Sequence, residues 1–221
     1  MNYFCHTLII IFKLNNTMDD IIKACSLKGL SHDDIVKFKN AEMEYTCVDN
    51  WGRGRRFVTY DDLAAVKSLD GAFANNGLIK SFRSVQYFKN VRELTAGEFM
   101  GCSSMTEIVL PKNLKVIGDR AFAFCVSLPE IRIPDGVEEI GAFAFHGCES
   151  LREVTIPASV RRIGAHLFAM CESLVKVNFE GRIEDIEIYT PGMSSCGKAP
   201  LFTACPNPVE VVDSDGVHNL R

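Results

Sequence analysis

The sequence predicts an α/β solenoid in which short parallel strands and helical turns stack unit upon unit, and three observations carry that prediction. Apolar residues recur with a 23-residue period, prolines and glycines punctuate the period at fixed places, and a Phe–Cys pair closes each unit. One such unit cannot bury its own apolar face, so neighbouring units must stack and share a continuous core.

The leading apolar positions are Phe82, Met105, Leu128, Leu151 and Leu174. Three residues on come Val85, Ile108, Ile131, Val154 and Val177, and two further on Tyr87, Leu110, Ile133, Ile156 and Phe179. Val91, Leu114, Val137, Val160 and Ile183 form the next column, followed by Leu94, Ile117, Ile140, Ile163 and Ile186. Phe recurs at 99, 122, 145 and 168, and Cys at 102, 125, 148 and 171.

Each column has a physical reason. The L-x-x-I-x-I opening alternates inward and outward residues, as a short strand must. Pro111, Pro134 and Pro157 end the strand, because proline cannot donate to a ladder. Gly118, Gly141 and Gly164 stand where the chain must turn sharply or approach its neighbour closely. The A-F-x-x-C segment then runs over the far side as a helical turn and drives Phe and Cys inward. Parallel units lie about 5 Å apart, so neighbouring cysteines come close. Their side chains run side by side into the core, though, where cysteine serves as a small buried hydrophobe, and free thiols are expected. Cys196 and Cys205 fall outside the column and could pair if the protein is exported.

The pattern L-x-x-I-x-I-P-x-x-V-x-x-I-G-x-x-A-F-x-x-C-x-S, seen almost column for column over Leu128–Ser150 and Leu151–Ser173, resembles the BspA-type leucine-rich repeats of bacterial surface proteins. The resemblance covers residues 82–187 and, more loosely, continues to about residue 213. It implies a curved, right-handed leucine-rich-repeat solenoid, secreted or at a cell surface, that binds host or neighbouring-cell proteins. Residues 35–94 also resemble the segment that precedes the repeats in some members of that family. Cys47-Val48-Asp49-Asn50-Trp51, the helix Tyr60–Val66, Ile79–Phe82 and Gln86-Tyr87-Phe88 carry that likeness. The loop between the first two departs from it. Where a calcium loop needs alternating Asp or Asn oxygens, this chain has Gly52-Arg53-Gly54-Arg55-Arg56, so calcium is not expected.

These readings divide the chain into a tail at 1–17, an N-terminal capping region at 18–81, repeats at 82–187, and an irregular last repeat with a C-terminal cap at 188–221. In the tail, Thr7–Phe12 is too short an apolar run to span a bilayer. It has neither a basic flank nor a cleavage signature, which leaves a mis-called start, a frayed tail or a degenerate export signal. In the capping region Thr17-x-x-Asp20 and Ser31-x-x-Asp34 read as helix starts, with Gly29 stopping the first. Thr59-x-x-Asp62 opens a third short helix, which ends near Gly71. The cap is expected to be small, mostly helical, and to cover the first repeat. Beyond Ile186 the register breaks. Phe202-x-x-Cys205 follows Phe168 by 34 residues, through a turn-rich insertion containing Pro191, Gly192, Gly197 and Pro200. That insertion serves either a binding loop or a drifted terminal unit.

Composition removes several functions. Net charge is −4, with 24 basic and 28 acidic residues, so there is no basic footprint for nucleic acid or anionic membrane. No stretch calls for membrane insertion. The histidines at 6, 32, 146, 166 and 218 are scattered without ligand spacing. Ser103, Ser104, Ser127, Ser150 and Ser173 recur because the repeat does, and Gly52-x-Gly54 is a turn. Neither a catalytic constellation nor a cofactor or metal site is expected.

The outward strand positions are the candidate binding site. They form one ladder of Glu107, Glu130, Glu153 and Lys176, and a second of Val109, Arg132, Thr155 and Asn178, along the concave face. The acidic ladder is either a docking stripe for a basic partner or a set of charges that keeps a sheet soluble. Glu138 and Glu139 lie opposite Arg161 and Arg162, a charge match that supports the register. The function this predicts is a monomeric, non-catalytic module that binds a protein or glycoprotein through the concave face. The alternative is a structural spacer or stalk in a surface or virion assembly.

Overall fold

The structure is a computed structural model that describes residues 34–191 and 200–218. It parts into two units, Met1–Ala65 and Val66–Arg221. The tail at 1–17, the first two helix starts up to Ser31, and Cys196 lie outside the described residues.

In the first unit, Val36 N–H donates to Val58 O at 3.0 Å beside a bridge between Ile35 and Thr59. Pairing there keeps residues 35–37 extended, so the helix expected to follow Ser31-x-x-Asp34 is not formed at that place. Helix α1 (Ala41–Trp51) begins instead behind Asn40, whose Oδ1 accepts the Met43 N–H at 3.0 Å. Helix α2 (Tyr60–Ala65) starts at the expected capping box. Asp62 N–H donates to Thr59 Oγ1 at 3.1 Å, and Thr59 N–H donates back to Asp62 Oδ2 at 2.8 Å. The Arg55 guanidinium also pairs with Asp62. Burial would raise the Asp62 carboxyl pKa, but the Thr59 and Arg55 hydrogen bonds outweigh burial and hold it below its usual range.

The second unit is a parallel β-solenoid. One sheet face holds β1 (Ser81–Phe82) beside β3 (Glu107–Ile108), then the series β5 (Glu130–Arg132), β7 (Glu153–Ile156), β9 (Lys176–Phe179) and β11 (Glu210–Asp213). The antiparallel strand β12 (Gly216–His218) finishes that series. A second sheet stacks β2 (Glu93–Leu94), β4 (Val116–Ile117), β6 (Glu139–Ile140), β8 (Arg162–Gly164) and β10 (Glu187–Tyr189). The inward columns fall in register as Ile131, Val154, Val177 and Val211 on the first sheet. On the second they are Leu94, Ile117, Ile140, Ile163 and Ile188.

The period slips at both ends. Phe82 pairs with Ile108, 26 residues on, so Ile79 and not Phe82 leads the first turn. Val85 and Tyr87 lie in a 3-10 helix (Arg83–Tyr87) whose extra residues return Val91 and Leu94 to the common columns. At the other end a second 3-10 helix (Ile183–Asp185) takes Ile183 out of its column. Ile188, not Ile186, then sits beside Ile163.

The A-F-x-x-C segments close each turn as linked i→i+3 turns that hydrogen-bond to the next unit. Phe99 N–H donates to Ala121 O at 2.7 Å, Phe122 N–H to Ala144 O at 2.8 Å, and Phe145 N–H to Leu167 O at 3.0 Å. That ladder stacks six rings: Phe73, Phe99, Phe122, Phe145, Phe168 and Phe202 lie 5.3–5.8 Å apart within 12° of parallel. Burying one such ring contributes about 1.5–3 kcal/mol. Each cysteine thiol reaches back one unit. Sγ of Cys102, Cys125, Cys148, Cys171 and Cys205 donates to the carbonyl of Phe73, Phe99, Phe122, Phe145 and Phe168 at 3.0–3.2 Å. All five are free thiols, Cys205 included.

The glycine column answers a close approach. A Cβ on Gly118 would lie 2.6 Å from Leu94 O, one on Gly141 2.4 Å from Asp119 N, and one on Gly164 2.1 Å from Ala142 N. None of these three has a positive φ, so crowding between units alone excludes a side chain there.

Candidate functional site

The first sheet brings the two outward ladders together as the strand alternation requires. In register across it stand Glu130, Glu153, Lys176 and Glu210, and beside them Arg132, Thr155, Asn178 and Val212. Glu107 is on β3 and Val109 just beyond it, both half-buried. A groove of about 540 Å³ runs over this face. Glu107, Glu130, Arg132, Glu153 and Thr155 line it, whereas Val109, Lys176 and Asn178 occupy the same face outside the groove.

Asp135 and Glu180 line the groove as well, and neither was legible as a site residue. They sit at or just past the residues that end the strand, where the proline column had been read only as a stop. Three further neighbours escaped notice because of the register slips. Ser81 donates its hydroxyl to Glu107, and Arg83 Nη1 lies 3.4 Å from Glu107 Oε2. Glu210, on the far side of the insertion, pairs with Lys176 at 3.2 Å.

Charge is distributed unevenly. On the second sheet acids are matched with bases: Lys115 with Glu138 at 2.6 Å, and Arg162 with Glu139 at 2.8 Å and Glu187 at 3.2 Å. The expected match of Arg162 with Glu139 is formed. Glu138 turns instead to Lys115, and Arg161 Nη1 donates to Ala158 O at 2.7 Å. In the groove the pattern is the reverse. Glu130 and Glu153 stand side by side on paired strands, and among the described residues neither has a salt bridge, nor has Asp135 or Glu180. Arg132 is the groove's one basic lining residue. Like charges directly opposite each other destabilise a strand pair by a few tenths of a kcal/mol or more.

Elsewhere the chemistry is quiet. Burial pushes the Cys102 and Cys171 thiols up to about 12 and those of Cys125 and Cys148 upward too, so the thiolate that nucleophilic or metal chemistry needs is disfavoured. Among the described residues no group of three His, Cys, Asp or Glu side chains could hold a metal ion. No helix among them is long and apolar enough to cross a membrane.

Stacked parallel strands, a closing Phe–Cys turn and an open sheet face define a leucine-rich-repeat protein. The chain belongs to the BspA-type leucine-rich-repeat family, whose model matches residues 70–195 in six copies. That span takes in Phe73 and Ile79, the true start of the first turn. Proteins of this type are generally protein-interaction or surface modules and typically not enzymes. Among solved structures, a leucine-rich-repeat protein of T. pallidum is 36% identical, over 46% of each chain, with a TM-score of 0.42. One from Bacteroides ovatus is 27% identical over 81% of this chain and 40% of its own, with a TM-score of 0.49. The pneumococcal vaccine antigen PcpA is 24% identical over 58% of this chain and 29% of its own, with a TM-score of 0.44. The chain thus spans less than half the length of each of these proteins. No match is found among the curated proteins.

Proposed function

We propose that this chain is a non-catalytic interaction module whose strand-face groove receives a basic segment of a protein or glycoprotein. The observation that carries the reading is the aligned, unneutralised pair Glu130 and Glu153 at the groove, on a molecule that pairs its acids on the neighbouring sheet. Two carboxylates held in register repel each other, and a bound lysine or arginine relieves both while forming charge-assisted hydrogen bonds. Asp135, Glu180 and Glu107 extend the field along the groove, and Arg132 sets a limit to it that favours one register of the partner over others. Thr155 supplies a neutral hydrogen-bonding position between the charges. Val109, Lys176 and Asn178 then form a rim on the same face.

The experiment is a pull-down against surface and matrix proteins, with the triple variant Glu107→Lys, Glu130→Lys, Glu153→Lys as control. The expected result is a partner retained by the parent chain and lost by the variant, with both equally folded by circular dichroism. A partner retained equally by both would place recognition elsewhere. No partner for either would favour a spacer or stalk in a larger assembly.

A further inference from the structure

We infer that the turn side of the repeat is a second interaction surface, one that takes an acidic segment of a partner protein carrying an apolar side chain beside its carboxylates. The inference starts from the backbone. Two columns in each closing turn sit in the left-handed region: Gly97, Arg120, Phe143 and His166 with φ of 69°, 54°, 57° and 58°, and Gly101, Phe124, Gly147 and Met170 with φ of 74°, 62°, 67° and 60°. Glycine adopts this conformation freely, while a side chain with a Cβ is strained there. Gly97, Gly101 and Gly147 prove that the turn needs no side chain at either column. Nevertheless five of the eight positions carry large ones. Strain that the fold does not require points to a use for the groups it presents.

Those groups converge. The Arg120 guanidinium lies over the Phe143 ring at 5.1 Å, and that ring stacks on His166 at 4.9 Å. His166 Nδ1 in turn lies 2.6 Å from Thr203 Oγ1. The His146 ring meets Phe124 and Phe143 edge-on, at 4.9 and 5.8 Å. The Phe124 ring lies across Gly147, where a Cβ would come within 2.8 Å of its Cδ1. Phe124 and Met170 nevertheless leave 46% and 48% of their surface exposed, large fractions for such side chains.

Charge chooses the occupant. Among the described residues Arg120 has no salt bridge, and stacking on Phe143 uses its face while leaving its N–H edges free for a carboxylate. The neighbouring acid, Asp119, is already committed: its Oδ1 accepts the Ala142 N–H at 2.7 Å. The exposed Glu149 and Glu172 come two residues past the second column, so the positive end of the surface is at Arg120. A guanidinium and two imidazoles beside two exposed apolar groups fit an acidic, apolar peptide, the opposite of what the groove would take.

The strain makes the test clean, because glycine at these positions removes the binding group and relaxes the backbone together. The probe is a fluorescent peptide of alternating Asp and Phe, with its Asn counterpart as control, titrated by anisotropy into the full chain. Parent chain should bind the Asp peptide at least roughly tenfold more tightly than the Asn one. Arg120→Gly and Met170→Gly should each weaken that binding severalfold or more without lowering the melting temperature, and Glu153→Lys should leave it unchanged. Equal binding of the two peptides, or binding indifferent to both glycine variants, would overturn the inference. So would glycine variants that melt well below the parent, which would make these side chains parts of the fold. Self-association that depends on Arg120, seen by sedimentation, would overturn it in favour of a second copy of this chain.

Discussion

Sγ of Cys148 lies 3.2 Å from the carbonyl oxygen of Phe122, one unit earlier in the stack, and donates its proton there. The cysteine column is thus neither a set of bridges nor mere filler. Each thiol satisfies a carbonyl that would otherwise be buried without a partner.

Cysteine reactivity should follow position in this ladder. Burial raises the thiol pKa of Cys125 and Cys148, whereas Cys205 is only half-buried at the end of the column. Alkylation of the native chain, mapped by mass spectrometry, should therefore modify Cys205 well before Cys125 or Cys148. Cys148→Ala should cost about 1–2 kcal/mol, combining a small cavity with an orphaned Phe122 carbonyl. Labelling of Cys148 as fast as Cys205 would contradict the buried ladder.

The ring stack should bear much of the cohesion. Phe145 lies between Phe122 and Phe168 at 5.5 and 5.6 Å, with no exposed surface of its own. Truncating Phe145→Ala should destabilise by about 3–5 kcal/mol in chemical denaturation. Phe202 stacks on one side only, at 5.8 Å from Phe168 and partly exposed, so Phe202→Ala should cost less.

Two glycines give a sharp contrast. An added Cβ at Gly164 would sit 2.1 Å from Ala142 N and 2.4 Å from its Cα, backbone that cannot move without separating two units. At Gly181 the nearest atom is Ala158 Cα at 3.5 Å. Gly164→Ala should cost several kcal/mol, of the order seen for overpacking a core, about 1–3 kcal/mol or more. Gly181→Ala should be neutral or slightly stabilising. Thermal melts of the two variants check this directly.

Glu98 introduces a pH dependence. It has no exposed surface, its Oε1 has no hydrogen-bond partner, and Thr95 Oγ1 donates to Oε2 at 2.7 Å. Burial raises its pKa, and the Thr95 hydrogen bond opposes that only in part. With the folded value above the unfolded one, the folded state holds its proton more tightly. The group's contribution is then fully present below the ordinary glutamate value of about 4.3 and declines as pH rises through the raised value. Equivalent positions in later turns are Ala121, Ala144 and Leu167. Glu98→Ala should therefore raise the melting temperature at pH 7 relative to the parent and narrow the difference at pH 4. A variant less stable at pH 7 would show that the carboxylate is satisfied by groups beyond Thr95.

The columns were legible because burial acts identically on every unit: Ile131, Val154 and Val177, or Phe122 and Phe145, meet the same neighbours one unit on. The outward ladders followed from strand alternation, and Glu130 with Glu153 could be paired on paper. What stayed hidden was local. A 3-10 helix at Arg83–Tyr87 moved the first strand by three residues, since Val85 is buried in either register and the pattern does not discriminate. Asp135 and Glu180 belong to the groove through the path of the chain past its prolines, which hydropathy does not encode. The left-handed residues Arg120, Phe124, Phe143 and Met170 gave no warning, because only glycine at such columns signals the conformation in sequence.

The most direct test of the groove is to change its charge in both directions and measure affinity for the protein captured by the parent chain. Glu153→Lys puts a base beside Glu130, and Arg132→Glu removes the one base lining the groove. The account predicts that the first weakens binding and the second strengthens it, by about 0.5–1.5 kcal/mol each, both effects shrinking as salt is raised. Two variants that shift affinity in the same direction, or not at all, would contradict an electrostatic groove.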